Sequence, residues 1–140
     1  MELIVDYIGG TALKTKIRDH EVVCDQPVGN GGQDAGMSPP EFLLASLGTC
    51  AGFYATQYLR ARSLPAEGVR VTVSAEKAVD KPARLGSFHI NVIIPGLEDE
   101  RHKEGVMRAV KSCLIHNTLL HPPAIEIALE TRSDQVVAGH

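Results

Sequence analysis

The chain contains an uncharged run, residues 42–59, that constrains its fold more strongly than any other segment. Ser38 and Glu41, separated by two prolines, predict a helix start with a capping box immediately before the run. We expect the helix to continue to about Arg62, a length of about 33 Å. Because almost every side of this helix is apolar, it is predicted to lie at the centre of the fold.

The same run is long enough to suggest a membrane span, and Gly48 and Gly52 form a GxxxG pair of the kind found where membrane helices associate. However, the run also carries serine, threonine and glutamine, and it lies between strand-like segments. We therefore predict a buried helix in which the two glycines allow close packing, and no association with a membrane.

The segments around this helix indicate a mixed fold. Alternating apolar and polar residues predict three short strands before residue 25 and a strand hairpin within residues 69–94. A second helix is predicted over residues 98–119, and a final strand over residues 124–130. This order indicates a single α+β domain, residues 1–140, with antiparallel sheets. A small sheet and one other helix cannot cover an apolar helix on all sides, so we also expect an intimate homodimer.

The charge pattern excludes one class of partner, and the N-terminus favours one location. Fourteen basic and 17 acidic residues are interspersed, with a net charge of −3, so no positive patch for nucleic acid is predicted. The N-terminal segment lacks the basic and apolar regions of a signal peptide, which favours a cytoplasmic protein. Three cysteines in 140 residues are too few for the disulfide framework of a secreted scaffold, so reduced thiols are expected.

Two of the cysteines are candidates for chemistry. Cys50 and Cys113 each occupy a helical position in an apolar stretch, where a thiol is either inert packing or a nucleophile shielded from water. A free thiol is only about 3% ionised at pH 7, so a reactive Cys50 would need a nearby cation. Cys24, in the third short strand, is expected to pack as a small hydrophobe.

Two motifs in the chain resemble those of a known family. The motif GGxDxGxxPxExLLASLGxC ends at Cys50, and the motif CxxHNTL begins at Cys113. Together they are similar to the OsmC/Ohr family of osmotically induced and organic-hydroperoxide-resistance proteins. The resemblance implies an OsmC-like fold in which antiparallel sheets wrap around two central helices in an intertwined homodimer, with the active sites at the dimer interface.

The resemblance also implies a thiol peroxidase that reduces organic hydroperoxides. In this role Cys50 is the peroxidatic cysteine and Cys113 the resolving cysteine. A lipoyl-type dithiol reduces the resulting disulfide, and no cofactor or metal is required. Arg18 is the candidate cation that stabilises the Cys50 thiolate, and Glu41 is expected to orient its guanidinium group.

An apolar substrate pocket would favour bulky peroxides, and four residues of the central helix are candidates for its lining: Phe42, Leu47, Phe53 and Tyr54. Two positions depart from the peroxidase pattern of the family. Leu114 follows Cys113 where many relatives carry proline, and Glu41 precedes Cys50 by nine positions rather than ten.

Three other functions remain open from the sequence. The protein could be a non-catalytic dimer that binds an apolar ligand, with both thiols structural. Cys50 and His116 could instead form the nucleophile and base of a hydrolase. Cys113, His116 and His121 could ligate zinc, although four ligands at the spacing of structural zinc sites are missing.

Overall fold

The computed structural model describes residues 1–132, and it has the α+β architecture expected from the sequence. Its elements in chain order are β1 (Ile4–Gly9), β2 (Ala12–Ile17), β3 (His20–Cys24), α1 (Pro39–Ala61), β4 (Arg70–Lys77), β5 (Leu85–Ile93), α2 (Glu100–Lys111) and α3 (Leu114–Leu120). The first three strands form one antiparallel sheet in the order β1-β2-β3, and β4 and β5 form an antiparallel hairpin.

The central helix α1 begins and ends close to the predicted positions, with Ser38 as its N-cap and Arg62 as its C-cap. Its buried residues recur every four positions and form one stripe: Leu47, Ala51, Ala55 and Leu59. The helix packs against α2 and β4, and Ala55 and Leu59 meet Val106 of α2 in the core. Within one chain, α1 is therefore fully buried along one side only.

Gly48 and Gly52 allow β4 to lie close to α1. A Cβ at Gly48 would be 3.0 Å from a methyl group of Val73, and a Cβ at Gly52 would be 3.5 Å from a methyl group of Val71. The GxxxG pair thus serves the packing of a helix on a sheet. In residues 1–132, no helix is long and apolar enough to cross a membrane.

The second helical region departs from the prediction at one place. The single helix expected over residues 98–119 is two helices, α2 and α3, separated by Ser112 and Cys113. Cys113 has a ψ of 128°, which is not helical, and its Sγ accepts a hydrogen bond from the His116 amide at the start of α3. The prediction was wrong because a side-chain sulfur caps α3 here, and no glycine or proline near Cys113 signals the break.

The final strand expected over residues 124–130 is not formed in the single chain. Its apolar residues Ile125, Ile127 and Leu129 are exposed to 82%, 93% and 88%. A strand requires a neighbouring strand for its backbone hydrogen bonds, and the alternating sequence by itself does not supply one.

The β1-β2-β3 sheet has an apolar face that the rest of the chain leaves exposed. Val5 pairs with Thr15 and Tyr7 pairs with Leu13, so these side chains share one face, and Val5 and Tyr7 are exposed to 51% and 70%. The chain as a whole exposes 11190 Å², whereas about 7,100 Å² is expected for a folded monomer of its mass. The single chain thus leaves a large surface, which includes this apolar face, exposed to solvent.

Candidate functional site

The fold brings the two motif cysteines together although they are 63 positions apart in the sequence. The side chains of Cys50, near the middle of α1, and Cys113, between α2 and α3, lie close enough together for Cys50 to raise the pKa of the Cys113 thiol. Both are free thiols, as is Cys24, which is buried on β3. Cys113 has no exposed surface, whereas Cys50 is partly exposed. One thiol of the pair can therefore be reached from solvent and the other is shielded.

Burial decides the protonation of Cys113. Removal from water raises the pKa of the Cys113 thiol, and the neighbouring Cys50 raises it further. The backbone amides of His116 and Ile115 lower the pKa of this thiol, but their effect is smaller than that of burial. The His116 nitrogen lies 3.4 Å from the Cys113 Sγ. Cys113 therefore keeps its proton at neutral pH.

A cavity of about 340 Å³ lies beside Cys113, between α1, β5, α2 and α3. Its walls include Cys113, His116 and Lys111, but not Cys50. The Nδ1 atom of His116 is buried without a hydrogen-bond partner among the described residues. Within residues 1–132, no three His, Cys, Asp or Glu side chains are grouped as ligands for a metal ion.

The structure does not bring Glu41 to Cys50 within one chain. Both lie on α1, and nine helical positions correspond to about 13.5 Å along the axis and about half a turn around it. The Glu41 carboxylate instead accepts a hydrogen bond of 2.8 Å from the Ser38 hydroxyl, and the Ser38 side chain makes no bond to the helix backbone. The predicted helix start is confirmed, but the reciprocal capping box is not formed.

Arg18 lies in the turn between β2 and β3, where it is exposed and has a φ of 52°. It forms no ion pair with a side chain of the described residues. The elements that pack most extensively on α1 are α2, β4, α3 and β5, and the sheet that carries Arg18 is not among them. A contact between Arg18 and Cys50 is thus not formed in the single chain.

The four candidate pocket residues occupy different environments along α1. Leu47 is fully buried in the stripe that faces the core. Phe42 and Tyr54 are partly buried, and Phe53 is exposed to 59% and stacks edge-on against Tyr54 with ring centroids 5.4 Å apart. The cavity beside Cys113 is lined by other residues.

One buried carboxylate, which follows the end of β3, was not singled out by the sequence. Asp25 is only 2% exposed, and it accepts hydrogen bonds from the Thr11 hydroxyl and from three loop amides, those of Gln26, Gln33 and Ala35. These bonds, that of Thr11 foremost, lower the pKa of Asp25 to about 2. The carboxylate thereby fixes the glycine-rich loop ahead of α1. An aspartate directly before such a loop was the available signal.

Asp25 works together with two glycines of that loop. A Cβ at Gly32 would overlap the carbonyl group of Gln26, and a Cβ at Gly36 would overlap that of Val23. Any larger residue at either position would push the loop away from β3, so only glycine allows the loop to lie against the strand end.

A family model described as OsmC-like protein matches residues 31–128, which is more than half of the chain and includes both Cys50 and Cys113. No curated protein matches the chain significantly.

Several solved structures share the fold. A Psychrobacter arcticus 273-4 protein, provisionally described as an osmotic stress induced and detoxification response protein, has a TM-score of 0.75 at 21% identity, with 83% of this chain and 85% of that chain covered. An OsmC like protein from Mycoplasma pneumoniae has a TM-score of 0.74 at 17% identity, with 86% and 87% covered. An organic hydroperoxide resistance protein OsmC from Legionella pneumophila has a TM-score of 0.64 at 19% identity, with 85% and 89% covered. At these identities the similarity concerns the fold.

Proposed function

Because the chain belongs to the OsmC-like protein family, we propose that it is a thiol-dependent peroxidase that reduces organic hydroperoxides to alcohols. The observation that carries this proposal is that Cys50 and Cys113 lie close together as free thiols. Cys50 is partly exposed and Cys113 is fully buried. The description of the Legionella relative as an organic hydroperoxide resistance protein supports the same substrate class.

The proposed cycle begins at the more accessible sulfur. The Cys50 thiolate attacks the terminal oxygen of the hydroperoxide, the O–O bond breaks, and the alkoxide leaves and takes up a proton to become the alcohol. Cys50 is then a sulfenic acid. The Cys113 sulfur attacks the Cys50 sulfur, water leaves, and a disulfide forms. A dithiol reduces this disulfide and is itself oxidised to a disulfide.

The environment of Cys113 suits the resolving role. Its raised pKa keeps it a neutral thiol while Cys50 reacts, so it does not compete for the peroxide. Its burial also keeps water away from the sulfenic acid on the side where the disulfide must form.

In the same proposal, Arg18 and Glu41 of one protomer stabilise the Cys50 thiolate of another protomer. In a single chain neither residue contacts Cys50, yet a guanidinium about 4 Å from the sulfur would contribute about 4 kcal/mol at an effective dielectric constant of 20. Arg18 is exposed in a turn and is free of ion pairs within the described residues, so it is available to a second subunit. Glu41 would orient the guanidinium while it accepts the bond from Ser38.

We further propose that the protein is an intertwined homodimer. The chain exposes about 4,000 Å² more surface than a folded monomer of its mass, so two copies together have more surplus surface than the roughly 2,000 to 5,000 Å² that an obligate homodimer buries in total. Both the apolar face of the β1-β2-β3 sheet, with Val5 and Tyr7, and the exposed apolar residues of 124–130 lack a covering element in the single chain. A second copy would cover both, and it would supply the strand partner that residues 124–130 lack.

Peroxide consumption by cysteine variants tests the function. With cumene hydroperoxide and excess dihydrolipoamide, the wild-type protein is expected to turn over, and peptide mapping is expected to find a Cys50–Cys113 disulfide when reductant is withheld. Cys50→Ser should abolish consumption. Cys113→Ser should still form one equivalent of sulfenic acid, which dimedone traps on Cys50. Cys24→Ser, which removes the third thiol, is the matched control and should behave as wild type.

The alternatives predict other results in the same experiment. A non-catalytic binding protein would leave the peroxide and both thiols unchanged. A hydrolase would cleave an activated ester at a rate that peroxide does not affect and that Cys50→Ala abolishes. Either result, with no disulfide between Cys50 and Cys113, would contradict the peroxidase proposal.

A further inference from the structure

The cavity beside Cys113 borders this buried cysteine and not Cys50. The cavity has a volume of about 340 Å³, and its walls include Val92 of β5, Met107 and Val110 of α2, and Cys113 itself. Cys50 is not part of the lining. A molecule that enters here approaches the disulfide from the Cys113 end.

We propose that the reducing dithiol enters through this cavity and attacks the Cys113 sulfur of the oxidised protein. This inference rests on the proposed function, because it concerns the reductive half of that cycle. It assigns the second substrate to a site apart from that of the peroxide. It also names the sulfur that is attacked, which the peroxidase proposal alone leaves open.

The covalent steps balance as follows. One thiolate of the dithiol bonds to the Cys113 Sγ, the Cys50–Cys113 bond breaks, and Cys50 leaves with the electron pair as a thiolate. The second thiol of the reductant then attacks the first sulfur of the reductant, and Cys113 leaves and takes up the proton. The reductant ends as a cyclic disulfide, and both cysteines are reduced.

The environments of the two sulfurs favour this direction of attack. In thiol–disulfide exchange the thiol of lower pKa is the better leaving group. Burial raises the pKa of Cys113, which makes Cys113 a poor leaving group. Attack on Cys113 therefore expels Cys50, and it leaves Cys50 as the thiolate that the next peroxide needs.

The walls of the cavity indicate the class of reductant. Five of the lining residues are apolar and suit a dithiol carried on an alkyl chain: Ala51, Ile90, Val92, Met107 and Val110. Lys111 also borders the cavity and would attract a carboxylate at the end of that chain. Cys113 has no exposed surface in the dithiol state, so the cavity must widen for the attack. Met107, an unbranched side chain that is 52% exposed, can move to allow this.

The first experiment identifies the attacked sulfur. Diamide oxidises the purified protein to the Cys50–Cys113 disulfide whether or not the protein reduces peroxides, so failure of the peroxidase proposal does not affect this measurement. The oxidised protein is mixed briefly with 2-mercaptoethanol, quenched with acid, alkylated and mapped by mass spectrometry. The mercaptoethanol adduct is expected on Cys113 and the alkyl label on Cys50. An adduct on Cys50, or no Cys50–Cys113 disulfide after diamide, would overturn the inference.

The second experiment tests the route. Met107→Trp narrows the cavity. It is expected to slow reduction of the diamide-formed disulfide by dihydrolipoamide about tenfold, which corresponds to a loss of about 1.4 kcal/mol in the binding of the reductant. Cumene hydroperoxide should still oxidise the reduced variant at the wild-type rate. Met37→Trp is the matched control, since Met37 is also exposed and lies outside the cavity. Equal reduction rates for the two tryptophan variants would contradict the proposed route.

A third comparison separates a free dithiol acid from a dithiol held in amide linkage. If the physiological reductant carries a free carboxylate, dihydrolipoic acid should reduce the wild type faster than dihydrolipoamide, and Lys111→Gln should remove about a threefold advantage, as expected for an exposed ion pair. Equal rates for both reagents in wild type and variant would contradict the attraction of a carboxylate by Lys111. A Lys111→Gln effect on peroxide oxidation rather than on reduction would contradict the assignment of Lys111 to the reductant.

Discussion

At the scale of single residues, Cys113 and Asp25 show how burial and hydrogen bonds set the charge of a side chain in opposite ways. Burial raises the pKa of the Cys113 thiol and holds it neutral. Asp25 is equally inaccessible, but a hydroxyl and three amides donate to it and lower its pKa to about 2. Neither environment can be deduced from the residues adjacent in sequence, because the donors and the burial come from distant segments.

Stability at high pH should report the state of Cys113. Its pKa is raised in the folded protein, so its contribution to stability is fully present below the pKa of an unfolded thiol, about 9, and is lost as the pH rises towards the folded value. The free energy of unfolding of the reduced protein, measured in urea, should therefore decrease more between pH 8 and pH 10 for wild type than for Cys113→Ser. Cys24→Ser is the control and should follow the wild type. Parallel curves for wild type and Cys113→Ser would contradict the prediction.

The Asp25 carboxylate should stabilise the protein at neutral pH and lose this effect in acid. Its folded pKa is lowered, so the contribution is present above the unfolded value of about 3.9 and is lost as the pH falls towards 2. Asp25→Asn is expected to lower the midpoint of thermal unfolding by about 5 °C at pH 7, and by less at pH 3. Circular dichroism at the two pH values measures this.

Asp34→Asn is a suitable control for that measurement. Asp34 is an exposed aspartate of the same loop with a φ of 54°, which asparagine also tolerates, so little change is expected. If Asp25→Asn were no more harmful than Asp34→Asn at pH 7, the carboxylate would not fix the loop.

At the scale of elements, periodicity predicted most of the fold and failed where tertiary contacts decide. The apolar run predicted both ends of α1 to within one or two residues. The alternation of apolar and polar residues predicted the five strands of the described chain. The break at Cys113 and the unformed strand at residues 124–130 were missed. A sulfur that caps a helix and a strand that has no neighbour both depend on what lies beside the segment in space. The pairing of Cys50 with Cys113 was inferred from resemblance and not from periodicity.

Proline should be tolerated at position 114. Leu114 is the first residue of α3 and is 62% exposed, and Cys113 before it has the extended ψ that a residue before proline prefers. We expect Leu114→Pro to keep the free energy of unfolding within about 0.5 kcal/mol of wild type, with the disulfide still able to form.

The neighbouring position provides the contrast. The Ile115 amide interacts with the Cys113 sulfur, so Ile115→Pro removes a donor and is expected to cost about 1 to 2 kcal/mol. Urea denaturation of both variants measures the difference. A Leu114→Pro variant that is as unstable as Ile115→Pro would show that α3 does not begin at residue 114.

The contact between α1 and α2 depends on Gly105. A Cβ at this position would overlap the Tyr58 hydroxyl, whose oxygen lies 3.1 Å from the Nδ1 atom of His102. Gly105→Ala is therefore expected to destabilise the protein by about 2 kcal/mol in urea denaturation, because Tyr58 must move. Gly29→Ala, at a site with open space and no positive φ, is the control and should change stability little. Equal stability of both variants would contradict this account of the helix contact.

At the scale of the whole molecule, the distribution of exposed residues indicates what the single chain lacks. One face of the β1-β2-β3 sheet carries Val5 and Tyr7, while the opposite face carries Lys14 and Lys16, each 3.9 Å from a carboxylate oxygen of Glu21. An antiparallel sheet with one apolar and one charged face is typical of a sheet packed on a core. No element of the described chain supplies that core, and a second copy is the proposed source.

The dimer proposal predicts a mass of about 30 kDa in solution, twice the 15.1 kDa of one chain. Light scattering after size exclusion measures this. Val5→Asp places a charge on the apolar face and is expected to shift the protein to monomer or aggregate, because a buried unpaired carboxylate is strongly unfavourable. Lys16→Asp introduces the same group on the opposite face of the same sheet and should leave the dimer intact. A wild-type mass of 15.1 kDa would contradict the proposal.

The unequal burial of the three thiols also makes the reduced protein a natural single-site labelling target. Cys24 is 7% exposed and Cys113 is not exposed at all, so a maleimide applied to the native fold meets Cys50 first. A fluorophore or spin probe can thus be attached at the middle of α1 without engineering away the other two cysteines. The number of labels per chain then also reports the redox state of the protein. One label per chain indicates the dithiol form, and no label indicates the disulfide form.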